Sequence, residues 1–136
     1  MDKTGRTEVI VAGLGCRKGT SAEAVLTALD AACIEAGISR ESVTALATGE
    51  IKRHEPGIVD LATKLGLPMH ILDEHALKQA ETRTKTVSKH SLAQTATPSL
   101  SEAAALALAG ETSELIVPRL IANGATCALA RSKDNP

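Results

Sequence analysis

Residues 9–23 constrain the fold of this chain more than any other stretch. They begin at Val9 with an apolar run rich in β-branched residues, which indicates a buried strand. Three glycines follow within seven residues, and then Thr20 and Glu23 stand three apart, the spacing of a helix capping box. The stretch therefore predicts a strand, a glycine-bearing loop and a helix in immediate succession.

The predicted loop carries two cations, Arg17 and Lys18, just before the helix. Free backbone N–H groups and the positive end of a helix dipole favour anions at such a place, so the loop is predicted to bind phosphates or carboxylates. The glycines Gly13, Gly15 and Gly19 are spaced G-x-G-x-x-x-G, one residue longer than the dinucleotide fingerprint. The phosphate-loop motif also fails, because the lysine precedes the last glycine. The alternative is that the glycines only let the strand turn sharply.

Composition narrows the class of protein. A chain of 136 residues with 43% hydrophobic and 23% charged residues is typical of one soluble globular domain. A net charge of −1 favours neither a nucleic-acid binder nor a membrane-surface protein. Phe, Trp and Tyr are absent, which removes base stacking on aromatic side chains. No apolar run is long enough to span a membrane and no signal peptide is evident, so we expect a cytoplasmic protein.

The cysteines and histidines indicate no metal site. Cys16, Cys33 and Cys127 are widely spaced, and no two of them have the spacing of metal ligands. Of the four histidines, His70 and His75 lie across a predicted strand-to-helix junction, which disfavours a shared metal. We therefore predict no metal and no cofactor.

The first half of the chain alternates strands and helices. Helical spacing over 22–36 ends at Gly37, and a strand is predicted that begins at Val43 and ends near Thr48-Gly49. A second helix begins at Pro56 and ends before Gly66, and a third strand covers 69–72. Asp73 is then expected to cap a short helix that runs through residue 80.

The second half is predicted to add a helix and a hairpin. Residues 81–97 are polar with little periodicity and are interpreted as an exposed loop or a mobile flap. Ser99 and Glu102 form a second capping box before an alanine-rich helix that ends at Gly110. Asn123-Gly124 is typical of a tight hairpin turn, and Pro118 predicts a bulge or a sheet edge.

These elements predict a single α/β domain. We expect a mixed sheet with a parallel β-α-β-α-β core, helices on its faces and a C-terminal antiparallel hairpin. The domain is placed at 8–131, between a loose tail at 1–7 and a frayed tail at 132–136. Ligands of such sheets bind beyond the carboxyl ends of the strands, which are here the loops at 13–20, 48–56 and 73–75.

Several residues on these loops are candidates for chemistry. Cys16 beside two cations is expected to have a lowered thiol pKa and is a candidate nucleophile, although a small packed residue is the commoner explanation. Lys52 and Glu55 follow the second strand and are interpreted as ligand contacts or an acid–base pair, or else as a solvated connection. Ser101 and Glu102 begin the alanine-rich helix, whose N-terminus either faces the ligand or is merely capped.

Several motifs resemble a known family. They are, in order, GLGCRKGTSAE at 13–23, ALAT at 45–48, IK at 51–52, EPG at 55–57, LGLP at 65–68, SEAAAL at 101–106 and ATCALAR at 125–131. Together they resemble the CobE/CbiG C-terminal family of cobalamin biosynthesis from about residue 8 to 131. The chain is similar in length to the form of the family in which the domain stands alone.

The resemblance implies an accessory protein of cobalamin biosynthesis that binds a precorrin or corrinoid intermediate. Such molecules carry many acetate and propionate arms around an apolar macrocycle, which suits a cationic loop. One alternative is an enzyme like cobalt-precorrin-5A hydrolase, which opens a ring-A lactone and in which Glu55 or Glu102 would activate water. Another is a non-catalytic partner of a pathway methyltransferase, which would contact it through 81–97. The expected ligand-binding residues are Gly13, Gly15, Cys16, Arg17, Gly19 and Thr20, bordered by Lys52, Glu55, Ser101 and Glu102.

Overall fold

A five-stranded mixed sheet forms the centre of the molecule. The computed structural model describes residues 9–84, 87–88 and 97–132. The sheet contains five strands, in chain order β1 (Val9–Cys16), β2 (Ala45–Gly49), β3 (Met69–Leu72), β6 (Glu114–Ala122) and β7 (Ala125–Ser132). Their spatial order is β3-β2-β1-β7-β6, in which β1, β2 and β3 are parallel and β7 is antiparallel to both β1 and β6. The predicted α/β fold is thereby confirmed.

Helices cover both faces of this sheet. The four helices are α1 (Ala22–Ala36), α2 (Pro56–Leu65), α3 (Glu74–Ala80) and α4 (Leu100–Ala109). Helices α1 and α2 pack on one face over an aliphatic core that includes Leu14, Leu29 and Leu46. Helices α3 and α4 pack on the other, where Ala104 and Leu106 join a smaller core. Because small side chains dominate that second core, α4 can lie very close to the sheet.

Most helix ends follow the predicted signals. Gly37 and Gly66 end α1 and α2 in left-handed conformations, with φ of +74° and +68°. Asp73 caps α3 by accepting a hydrogen bond from the Ala76 amide at 2.8 Å. The predicted Thr20 cap is wrong by one residue, because the Ser21 hydroxyl accepts from the Ala24 amide at 3.1 Å. Thr20 lies instead in the preceding turn.

The second strand begins two residues later than predicted. It is predicted from Val43 to about Thr48-Gly49 and is observed at Ala45–Gly49, so its end agrees with the prediction. Thr44 donates from its amide and its hydroxyl to the Ile10 carbonyl before the ladder begins. Further on, the Thr48 hydroxyl donates to the Leu14 carbonyl at 2.8 Å, beyond the last register pair of Gly13 with Ala47. A buried hydroxyl thus ties β2 to β1 near their carboxyl ends.

The C-terminal hairpin has the predicted turn and bulge. Asn123 and Gly124 have φ of +53° and +83°, the two successive positive values of a type I′ turn. The register between β6 and β7 shifts on both sides of Val117, in the stretch that contains Pro118. Proline lacks the N–H that a regular ladder needs, which explains why the irregularity lies there.

The polar stretch at 81–97 is not simply a loop. Residues Glu81–Arg83 form one 3₁₀ turn, and two short strands, β4 (Val87–Ser88) and β5 (Thr97–Pro98), pair antiparallel. Residues 85–86 and 89–96 lie outside the described part of the chain, as do the predicted tail at 1–7 and residues 133–136. Ser132, predicted to be frayed, is the last residue of β7.

Candidate functional site

Three connections meet at the carboxyl edge of β1 and β2. They are the turn at 17–20 after β1, the connection at 50–55 after β2, and the hairpin turn between β6 and β7. The Arg17 amide donates to the Gly124 carbonyl at 3.0 Å, and this bond joins the 17–20 turn to the hairpin turn. The Gly19 amide donates to Oε2 of the Glu55 carboxylate at 2.9 Å, and this bond joins the 17–20 turn to the connection at 50–55. The edge predicted to bind ligand is therefore a set of mutually bonded connections.

The 17–20 turn is tight and internally bonded. The Thr20 amide and hydroxyl both donate to the Arg17 carbonyl, at 3.0 and 2.7 Å. Gly19 has φ of +84°, in the left-handed region that residues with a Cβ rarely adopt. This glycine is thus required by the turn itself, independently of any ligand.

These bonds correct the prediction that the turn offers free backbone donors. The amides of Arg17, Gly19 and Thr20 already donate to protein oxygens. The side chains of this turn, unlike its amides, remain available to a ligand, because Arg17 and Lys18 are exposed and form no ion pair with any described residue. What this turn presents to solvent is side-chain positive charge.

Glu55 and Gly57 hold the turn against the start of α2. Glu55 occupies the N-cap position of α2, yet its side chain makes no capping bond there and reaches Gly19 instead. A Cβ on Gly57 would lie 2.1 Å from the Thr20 carbonyl oxygen, so only glycine allows this approach. Sequence reasoning missed Gly57, although a glycine in the first turn of a helix is a signal of close backbone contact.

Cys16 is not activated by its surroundings. Burial raises the pKa of the Cys16 thiol, and the nearby Glu55 carboxylate raises it further, against smaller lowering by the Lys52 charge and the neighbouring Thr20 side chain. The predicted lowering of this pKa is therefore wrong. At neutral pH the group is a protonated, buried thiol at the end of β1.

Thiol alkylation tests this arrangement. At pH 8 we expect Cys16 to react slowly with iodoacetamide in the natural protein and faster in Glu55→Gln, because removing the carboxylate lowers the thiol pKa. Lys52→Gln is expected to shift the rate in the opposite direction. Peptide mass mapping assigns the label, with the buried Cys127 as an internal unreactive reference. An unchanged rate in Glu55→Gln would contradict the assigned electrostatic contact.

Four further predicted ligand residues lie between the sheet and α4 or on α4 itself: Gly13, Gly15, Ser101 and Glu102. A Cβ on Gly13 would lie 1.9 Å from the Ser101 carbonyl oxygen, and one on Gly15 would lie 2.8 Å from the Thr126 hydroxyl. Ser101 is 1% exposed, and its hydroxyl lies 3.1 Å from that of Ser99. Gly13 and Ser101 are thus brought together as packing partners, apart from Cys16, whose side chain joins the core on the α1 face.

Glu102 occupies an interior position. It is 0% exposed, and its Oε2 accepts a hydrogen bond from the Arg119 amide at 2.8 Å. Arg119 lies within the irregular stretch of β6, so the carboxylate satisfies an amide next to the bulge. Ser99 does cap α4, accepting from the Glu102 amide at 3.3 Å. The Glu102 side chain therefore links α4 to the hairpin.

The described part of the chain contains neither a membrane-spanning helix nor a cluster of metal ligands. Within it, no helix is long and apolar enough to cross a membrane. Over residues 9–84, 87–88 and 97–132, no three His, Cys, Asp or Glu side chains are grouped so that they could hold a metal ion.

The fold and the site together define a class of protein. It is a small α/β domain in which the connections at the carboxyl edge of the sheet carry exposed positive charge, and in which the Cys16 thiol is protonated. Comparison with known proteins makes this specific. Residues 10–130 match the family model described as "Cobalamin synthesis G C-terminus". The chain belongs to this CbiG C-terminal family, which confirms the resemblance, and it is a protein of cobalamin biosynthesis.

Individual relatives agree with this family. Protein CobE from Sinorhizobium sp is 31% identical over 121 residues, which cover 89% of this chain and 79% of CobE. A crystal structure of a CobE from the cobalamin (vitamin B12) biosynthetic pathway superposes with a TM-score of 0.84 at 38% identity and covers 94% of both chains. The cobalt-precorrin-5A hydrolase of Priestia megaterium is 39% identical over 61 residues, which are 45% of this chain and 16% of that enzyme.

Proposed function

We propose that this protein binds a polycarboxylate precorrin or corrinoid intermediate at the carboxyl edge of its parallel strands. The observation that carries the proposal is the pair of exposed cations, Arg17 and Lys18, on a rigid turn without a carboxylate partner among the described residues. Membership of a cobalamin-biosynthesis family supports the ligand class. Precorrins carry several acetate and propionate arms, which are natural partners for these cations.

The balance of charge in the connections that follow β1 and β2 favours an acidic ligand. Residues 17–20 and 50–55 contain the cations Arg17, Lys18, Lys52 and Arg53 and the carboxylates Glu50 and Glu55. Glu55 is 8% exposed and already accepts the Gly19 amide, so it offers little charge to a ligand in solvent. In these two connections the exposed cations Arg17, Lys18 and Arg53 therefore outnumber the one exposed carboxylate, Glu50.

Rigidity of the turn adds to the attraction. Arg17 is fixed at its amide by the hairpin and at its carbonyl by Thr20, so ligand binding does not have to order the backbone. A guanidinium can hold one carboxylate through two parallel hydrogen bonds. Because the cations are exposed, we expect the affinity to fall as ionic strength rises.

A spectroscopic titration with hydrogenobyrinic acid tests the proposal. We expect binding at micromolar ligand and a loss of about tenfold in affinity for Arg17→Gln, since a charge-assisted contact contributes about 1.5 kcal/mol. Arg40→Gln is the matched control, because it removes the same charge from a half-exposed position next to Asp30, at the opposite edge of the sheet. Folded natural protein that binds no corrinoid at this concentration would contradict the proposal.

A second candidate is lactone hydrolysis on the same kind of macrocycle. The match to cobalt-precorrin-5A hydrolase supports it, and so does the buried Glu55 carboxylate close to Cys16. Glu55 would there act as the base that activates water. Mass analysis of a lactone-bearing precorrin that has been incubated with the protein alone separates the two functions. Ring opening that is lost in Glu55→Gln would favour the enzyme. An unchanged ligand mass would favour binding alone.

A further inference from the structure

Two exposed isoleucines border the cationic turn. Among the described residues, three large apolar side chains are strongly exposed: Ile34 at 79%, Ile51 at 83% and Ile121 at 64%. Ile34 lies near the end of α1, at the amino edge of the parallel strands. The other two lie at the carboxyl edge, where Arg17 and Lys18 are also exposed. A single exposed isoleucine needs no explanation, but apolar and cationic groups combined at one edge do.

The two isoleucines flank the turn on opposite sides. Ile51 lies in the 3₁₀ turn after β2, directly before Lys52, whose charge acts on Cys16. Ile121 lies on β6, opposite Thr126 of β7 and close to the hairpin turn that holds Arg17. Strands β2 and β6 are three positions apart in the sheet order β2-β1-β7-β6, which corresponds to about 14 Å. A four-pyrrole macrocycle with its side arms can bridge that span.

Resting on the proposed function, we propose that Ile51 and Ile121 are the apolar contacts of the site and select a macrocyclic ligand. They pack against the rim of the ring, while Arg17 and Lys18 between them bind its carboxylate arms. The pattern is complementary to a molecule with an apolar body and acidic periphery. It does not complement a small polycarboxylate such as citrate, which has no apolar surface to bury.

Binding of two probes to single variants tests this assignment. Hydrogenobyrinic acid is titrated by absorbance, and citrate is titrated by NMR shifts of the backbone amides at 17–20. We expect Ile51→Ser and Ile121→Ser each to weaken binding of the corrinoid by about tenfold and to leave citrate binding unchanged. Arg17→Gln is expected to weaken both. Ile34→Ser is the matched control, equally exposed and expected to change neither.

The outcomes separate this inference from the function on which it rests. If the natural protein binds no hydrogenobyrinic acid, the proposed function and this inference both fail. If the natural protein binds and both isoleucine variants match Ile34→Ser, the selectivity assignment alone is overturned. An added salt series supports the assignment when the isoleucine effects persist at 1 M salt while the Arg17→Gln effect disappears, because salt screens charges and does not weaken apolar contact.

Discussion

Replacing Gly13 with alanine is expected to lower the free energy of unfolding by about 3 kcal/mol or more. The added Cβ would lie 1.9 Å from the Ser101 carbonyl oxygen and 2.8 Å from the Ala105 amide nitrogen. Both atoms belong to the backbone of α4, so no side-chain rotation can relieve the contact. The helix would have to move away from the sheet and expose part of the buried surface around Ala104.

Urea unfolding of Gly13→Ala beside Gly15→Ala measures this effect. Gly15 lies on the same strand and the same face, but its added Cβ would meet only the Thr126 hydroxyl, at 2.8 Å. That side chain can rotate, and we therefore expect a cost below about 1 kcal/mol. Equal stability of the two variants would contradict the close helix–strand approach. Loss of corrinoid binding in a fully stable Gly13→Ala would instead restore this glycine to the ligand site.

Removal of the Glu102 carboxylate is the second large effect. In Glu102→Ala the Arg119 amide loses the acceptor that it reaches at 2.8 Å in a buried setting. A buried amide that is left without its acceptor costs about 1–3 kcal/mol, and we expect a loss of that size in the free energy of unfolding. Glu102→Gln keeps an acceptor oxygen and is expected to lose less. Urea unfolding of both variants gives the comparison.

The control for Glu102 is Glu114→Gln, also on the hairpin side of the molecule. Glu114 is exposed and pairs with Arg131 at 3.5 Å, so its neutralisation is expected to change stability by less than about 0.5 kcal/mol. A hydrolase that used Glu102 to activate water would behave differently: Glu102→Gln would lose ring opening at unchanged stability. The structural role that we assign to Glu102 predicts the opposite result for Glu102→Gln: a lower free energy of unfolding and no effect on ring opening.

The expected effects of the Gly13 and Glu102 substitutions indicate what the family motifs do in this chain. The opening motif contributes Gly13 to helix packing, Gly19 to a tight turn and Arg17 to the exposed edge. Of these three residues, only Arg17 presents a side chain that is exposed to solvent. The motif at 101–106 supplies the buried N-terminal half of α4. A resemblance spread over many motifs therefore establishes the family while marking few residues as ligand contacts.

The local elements of this fold could be predicted because their causes are local. The helix closed by Gly37, the cap at Asp73 and the turn at Asn123-Gly124 each depend on atoms within a few residues of one another. The bulge near Pro118 follows from a missing N–H in one residue. The start of β2 was misplaced because Val43 and Thr44 have strand propensity, whereas the ladder begins only where a neighbouring strand is in register.

Sequence alone determined the family, the order of the helices and of the five strands of the main sheet, and the edge of that sheet at which the exposed cations lie. Tertiary structure alone decided which charged groups and hydrogen-bond donors at that edge remain available to a ligand. The Gly19 amide meets a carboxylate 36 residues away, and Glu102 meets an amide 17 residues away. Such pairings depend on how helices and strands pack, and each one consumes a donor or a charge that the isolated motif had left free. For this reason the ligand contacts that we propose are side chains of the 17–20 turn and not its backbone amides.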